Sequence, residues 1–101
     1  MHRTTTIILN NNKMQTVIVR HKVADFLEWK NGQQERLEIF APAIESFDAF
    51  QDIDNPNSVL IVIETNNIEL FKSIVNDPKN QILKDKHTVL EPIKMSYQIH
   101  F

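Results

Sequence analysis

The residues able to do chemistry in this chain are few and scattered. It has four histidines, one tyrosine, one tryptophan and no cysteine. With no cysteine, thiolate nucleophiles, disulfides and cysteine-held metal sites are excluded. His21 follows the apolar run Val17-Ile18-Val19 and shares a side with Val17 and Val19, because alternate residues of a strand face opposite ways. An imidazole ending a buried strand titrates near neutrality and could act as a general base. The other role open to it is structural, a strand-end histidine bonded to a loop or to solvent. Arg20 and Lys22 point away from His21; they either hold an acidic ligand or are solvated and paired. Tyr97 falls on the apolar side of the last strand, where a packed ring with a bonded hydroxyl competes with a role in acid catalysis. His100 closes the polar row Lys94, Ser96, Gln98 and His100. His87 and His100 have no ligand spacing around them, so no metal site is expected. The candidate set is thus His21 as the proton-handling group, with Arg20, Tyr97 and His100 around a ligand.

The elements that must position these groups follow from the hydropathy pattern. Val59-Leu60-Ile61-Val62-Ile63 is apolar on both strand faces and is bounded by Asn55-Pro56-Asn57-Ser58 and Glu64-Thr65-Asn66-Asn67. A strand without polar alternation needs both faces covered, which makes it central. Thr16 to Arg20 has the same character. Between them, Val23 to about Arg36 reads as a helix with Asp25 in its first turn, Phe26 and Trp29 on its apolar side, and the chain's single glycine, Gly32, as the place where it bends or ends. Glu45 to Ile53 alternates, with Phe50 the exception on the polar side, and so reads as an edge strand returning through Asp54-Asn55-Pro56-Asn57 into the central one. Asn66 or Asn67 caps a second helix bearing Ile68, Phe71, Ile74 and Val75, and Asp77-Pro78 restarts the helical phase. Ile93 to Phe101 alternates cleanly as the last strand.

The order is β-α-β-β-α-β, with strands one and three apolar and strands two and four alternating. That is the burial pattern of the ferredoxin-like split βαβ, an α+β fold whose four-stranded antiparallel sheet carries both helices on one face. Two helices cover only one side. The other side would expose Val, Leu and Ile, and a second copy of the chain is the simplest cover, giving a homodimer that closes into an α/β barrel.

Composition sets the remaining bounds. A chain of 101 residues is one domain and long enough to bury a core without staples. The expected division is an N-terminal extension over residues 1–13 and the folded domain over 14–101, with the extension dispensable for folding. A net charge of −2 gives no footprint for nucleic acid or anionic lipid, and no apolar run approaches the roughly 18 residues of a membrane span. Met1 to Leu9 lacks the apolar core of a secretory signal, so a cytoplasmic location is expected.

The stretch Val19-Arg20-His21-Lys22-Val23-Ala24-Asp25-Phe26-Leu27-Glu28-Trp29-Lys30, together with the Asp54-to-Val59 hairpin and the Asp77-Pro78 helix start, resembles the small dimeric α/β-barrel proteins related to the antibiotic-biosynthesis monooxygenases. The likeness spans about residues 14 to 101. It implies a homodimer with facing sheets around a lumen, and an activity among those of that group, cofactor-free monooxygenation or isomerisation of a small organic molecule. The alternative it leaves open is a non-catalytic dimeric module that binds a ligand or serves in stress. No cofactor is expected. The haem-degrading branch is associated with an Asn, Trp and His trio whose Trp lies on a strand, whereas Trp29 falls in the first helix and no member of that trio is carried over. RNA-binding relatives of the topology place aromatics on strand three, and Val59 to Ile63 has none.

Overall fold

The computed structural model describes residues 13–101. The expectation that residues 1–13 are a dispensable extension falls almost wholly outside that range. The described chain runs β1 (Gln15–Val23), α1 (Phe26–Asn31), α2 (Gln33–Phe40), β2 (Ser46–Gln51), β3 (Ser58–Thr65), α3 (Ile68–Asn76), a 3-10 turn (Pro78–Asn80), α4 (Gln81–Lys86) and β4 (Val89–Tyr97). The sheet order is β2-β3-β1-β4, antiparallel throughout, with Val19 opposite Ile61 and Ile18 opposite Val62. The two doubly apolar strands are the central pair, as their composition requires, and the fold is ferredoxin-like α+β. Among the described residues no helix is long and apolar enough to cross a membrane.

One face of the sheet is covered by the helices. Val17, Val19, His21 and Val23 of β1 and Val59, Ile61, Ile63 and Thr65 of β3 are buried on it, against Trp29, Phe71 and Val75. The opposite residues, Ile18, Leu60, Val62, Phe50 and Leu90, form an apolar band on the open face, with Arg20, Lys22 and Lys94 beside it. Thr65 is polar but wholly buried. It is satisfied because its hydroxyl donates to the Ala43 carbonyl and accepts from Asn67 N at 2.9 Å.

Helix starts are fixed by side-chain caps. Asp25 Oδ1 accepts from Glu28 N at 3.2 Å, Asn67 Oδ1 from Leu70 N at 3.0 Å, and Asp77 Oδ1 from Lys79 N at 3.0 Å, each satisfying an amide that the helix cannot. Asp25 is therefore the N-cap of α1 rather than a residue of its first turn, and β1 continues to Val23. Gly32 divides the first helical region into α1 and α2.

The last strand differs from the sequence expectation. It begins at Val89, four positions before Ile93, and ends at Tyr97. Val17 opposite Tyr97 is the final pair and Gln98 N gives one further bond, to the Thr16 carbonyl at 3.2 Å. Beyond it the alternating residues Ile99 to Phe101 form no ladder with any described strand, and periodicity alone makes none. Opposite His21 the β1–β4 register slips: Arg20 pairs with Lys94 but Lys22 with Leu90, so β4 carries two extra residues there.

Candidate functional site: a helix-covered cavity around His21, Trp29 and Arg36

His21 points toward the helices. The side of β1 that carries Val17 and Val19 is the side α1 to α4 cover, and the open face carries Ile18, Arg20 and Lys22 instead, so His21 does not face the side on which a second sheet would close a lumen. The space His21 lines lies within one chain. It is a cavity of about 80 Å³ between sheet and helices whose surface is almost wholly apolar, with Val19, Ile61 and Phe71 in the lining beside parts of His21, Trp29, Arg36, Asn80, Lys84 and His87.

The His21 ring has one assigned proton by elimination. Its Nδ1 lies 2.9 Å from the Lys22 carbonyl oxygen, which can only accept, so Nδ1 carries hydrogen and Nε2 keeps its lone pair. Burial holds its pKa below the ordinary 6.5, the Lys22 carbonyl bond opposes that, and the positive Arg36 adds to it. At neutral pH the ring is an uncharged base.

Trp29 joins His21 to Arg36. The indole meets the imidazole edge to face with centroids 6.1 Å apart, and on it stacks the Arg36 guanidinium, its carbon 4.2 Å from the ring centroid. Arg36 is buried, and burial pushes its pKa down to about 10, so it stays charged at neutral pH. Its Nη2 donates to Gln33 Oε1 and its Nη1 to His87 Nδ1, both at 3.0 Å. A guanidinium cannot accept, so His87 Nδ1 is the acceptor and the proton sits on Nε2, which donates to Glu35 Oε1 at 3.0 Å. His87 and Lys86 in turn hold the Glu35 carboxyl below its usual range. The chain His21, Trp29, Arg36, His87, Glu35 is continuous from the sheet to the outside of α2.

The folding of this array is local in origin. His87 is 2% exposed and sits against Gly32, where a Cβ would come within 2.4 to 2.6 Å of three ring atoms. Gly32 has φ −86°, a conformation any residue adopts, so glycine is required by the close approach of the imidazole and not by the backbone. Thr88 follows with φ 59°, and this strained residue is tied to the start of α1 by Ala24 N to the Thr88 carbonyl at 2.9 Å and by Asp25 N to its hydroxyl at 3.1 Å. Two buried donors of the array, Trp29 Nε1 and Arg36 Nε, have no partner among the described residues.

The residues expected to surround a ligand are spread out. Arg20 is exposed on the open face; it meets His21 only in a surface groove at the register slip, with Lys22, Leu90 and Lys94. Tyr97 is 69% exposed at the far end of β4, in a separate groove with Asn67 and Lys72, so its ring does not pack in the core. His100 lies past β4 and is exposed, which removes it from the polar row of that strand. Sequence reasoning missed Arg36, His87 and Gly32, and gave Trp29 to the core alone. A signal was present: Arg36 stands seven residues after Trp29, a charge on the apolar side of the helical stretch.

The chain matches no family model and no curated protein. Its shape has clear counterparts among solved structures. A candidate antibiotic biosynthesis monooxygenase from Bordetella bronchiseptica superposes with a TM-score of 0.67 at 14% identity, over 87% of this chain and 97% of that one. SnoaB, a cofactor-independent oxygenase from Streptomyces nogalater, gives 0.65 at 13% identity over 87% and 93%. A conserved protein from Methanosarcina mazei Go1 gives 0.63 at 10% identity over 90% and 96%. The fold is that of the antibiotic-biosynthesis-monooxygenase-like proteins. At these identities the likeness is one of fold, and the chemistry has to be argued from the cavity.

Proposed function

We propose that this protein is a cofactor-independent enzyme, an oxygenase or isomerase, that removes a proton from a small organic molecule held in the helix-covered cavity. The observation that carries the reading is His21: a buried, neutral imidazole that lines the cavity, with Nδ1 fixed to the Lys22 carbonyl and Nε2 left as a base. Arg36 stands across Trp29 as a permanent positive charge, suited to stabilise the enolate or phenolate that proton loss creates. In an oxygenation, an enolisable CH2 would give its proton to His21, the carbanion would take up dioxygen, and loss of water would leave a carbonyl. One oxygen atom enters the product and the other leaves as water, so no further reductant is needed. In an isomerisation the same proton would return at another carbon. The likeness of fold to SnoaB supports the first of these.

Within this reading the protein works in the cytoplasm as a homodimer. The apolar band of Ile18, Phe50, Leu60, Val62 and Leu90 on the open face supports the dimer, since full burial is worth about 1.5 to 3 kcal/mol per such side chain.

The test covers both reaction types. Metal-free protein is incubated with a panel of enolisable aromatic ketones in deuterated water, following dioxygen uptake and hydrogen exchange together. Wild type should promote one or both, and His21→Gln should lose about a hundredfold or more, the usual worth of a positioned base. Binding without exchange or uptake would instead favour a non-catalytic ligand-binding module. The cavity, about 80 Å³, is smaller than the roughly 150 Å³ that admits benzene, so taking up a ring, for binding or for catalysis, requires the helices to yield.

A further inference from the structure

The open face of the sheet carries its charges on opposite halves. Arg20 and Lys22 of β1 and Lys94 of β4 stand on the open side, and so do Asp48 of β2 and Glu64 of β3. The open side of β1 has no acid, and that of β2 and β3 has no cation. The acid in the β4 slip, Glu91, is paired with Lys84 at 3.9 Å. Arg20 and Lys94 lie directly opposite each other in the ladder, and like charges so placed destabilise a sheet. Glu64 accepts from the Thr16 hydroxyl, but Arg20, Lys22, Lys94 and Asp48 have no ion-pair partner among the described residues. Between the charged halves the two middle strands place Ile18, Leu60 and Val62.

We infer that this charge polarity orients self-association: a second copy of the chain docks on the open face with the two-fold axis running along the strands, so that Asp48 of each copy lies toward Arg20 and Lys94 of the other. Aligned sheets that face each other can be related by an axis along their strands or by one across them. An axis along the strands lays β2 over the partner's β4 and β3 over the partner's β1, setting the acidic half against the cationic half around an apolar middle. An axis across the strands lays each strand over its own copy. Acid then meets acid, and the Arg20–Lys94 pair meets itself. The axis along the strands also keeps height: Asp48 is level with Ser96 through Val62 and Ile18, and so stands one open-side position from the partner's Lys94. Within one chain Asp48 and Lys94 are three strand spacings apart, about 14 Å, and do not touch. The inference rests on the homodimer proposed above and adds its orientation and the residues that select it.

The experiment measures the dimer dissociation constant of the full chain by sedimentation equilibrium. Raising sodium chloride from about 50 to about 500 mM should weaken the wild-type dimer several-fold, because screening removes an attraction; like charges face to face would give the opposite sign. Asp48→Lys at low salt should raise the dissociation constant about tenfold or more, since it turns an attraction into a repulsion in both symmetric halves of the interface. Adding Lys94→Asp to that chain should bring the constant back to within about threefold of wild type, and because the two positions do not touch within a chain the recovery reports a contact between chains. Both positions are exposed, so circular dichroism should show each variant folded. The inference is overturned if Asp48→Lys leaves the constant unchanged, if Lys94→Asp gives no recovery, or if salt tightens the wild-type dimer. In those outcomes the homodimer stands and only its orientation is refuted, whereas a wild-type chain that stays monomeric overturns both.

Discussion

Replacing Gly32 by alanine sets two effects against each other. On helix propensity and chain entropy alone the change should stabilise, by about 0.4 to 1 kcal/mol, because φ −86° is open to alanine and the unfolded chain becomes less free. The structure predicts the reverse. An alanine Cβ would lie 2.4 Å from His87 Nε2 and 2.5 and 2.6 Å from two neighbouring ring carbons, so the imidazole must leave its seat. With it goes the 3.0 Å bond to Arg36, a buried hydrogen bond to a charged group worth about 1.5 to 3 kcal/mol. The exposed contact to Glu35 is screened by solvent and left out of the balance. The net expectation is a loss of about 0.5 to 2.5 kcal/mol. For a domain of this size that lowers Tm by about 2 to 20 °C. Thermal and urea unfolding followed by circular dichroism measure it, and a Gly32→Ala, His87→Ala double variant isolates the cause: with the ring gone, alanine at position 32 should cost nothing further. A single Gly32→Ala variant as stable as wild type, or more so, would refute the argument that His87 is why glycine stands there.

Other perturbations separate the two faces of the sheet and the two buried histidines. Ile61→Lys should unfold the chain because Ile61 faces the helices, whereas Val62→Lys, on the open face, should leave a folded protein whose mass by light scattering is that of a monomer; a Val62→Lys dimer would argue against association through that face. His21 is held below its ordinary 6.5 by burial, so the unfolded chain takes up its proton first and stability present above pH 6.5 should fall as pH drops below it; His21→Leu should flatten that part of the Tm profile between pH 7.5 and 5.5. Glu35, whose pKa is lowered by its bond to His87, acts in the same direction at more acid pH, with stability lost below its ordinary 4.5, and Glu35→Gln should remove that component alone. Thr65→Val should lower stability by about 1 to 3 kcal/mol in urea unfolding, because the Ala43 carbonyl loses its partner in a buried place.

The sheet was legible in the sequence because burial on two faces leaves a mark that a short window can see. Val59 to Ile63 and Thr16 to Arg20 lack alternation, and they are the central strands; Ser46 to Gln51 alternates and is an edge. The caps Asn67 and Asp77 were likewise local signals, whereas Asp25 was placed a turn too deep because β1 runs on to Val23. The site was only partly legible. His21 carries its placement in its neighbours Val17 and Val19, but which face the helices would take is decided by the crossovers and not by β1. Arg36 and His87 are 51 residues apart, and the bond between them exists because Gly32 leaves room for a ring, which no periodicity reports. His100 and Tyr97 illustrate the opposite error. Their alternation is real, but His100 lies beyond the last paired residue and Tyr97, at the strand's end, is left uncovered by the helices.

The central claim is that His21 presents a bare Nε2 to the cavity, and imidazole nitrogen-15 shifts test it most directly. In long-range proton–nitrogen spectra at neutral pH, His21 should show the Nδ1–H tautomer and His87 the opposite Nε2–H tautomer, with His21 titrating below 6.5. A His21 ring protonated on Nε2, or one that titrates above 6.5, would contradict the account, because the cavity would then hold no base.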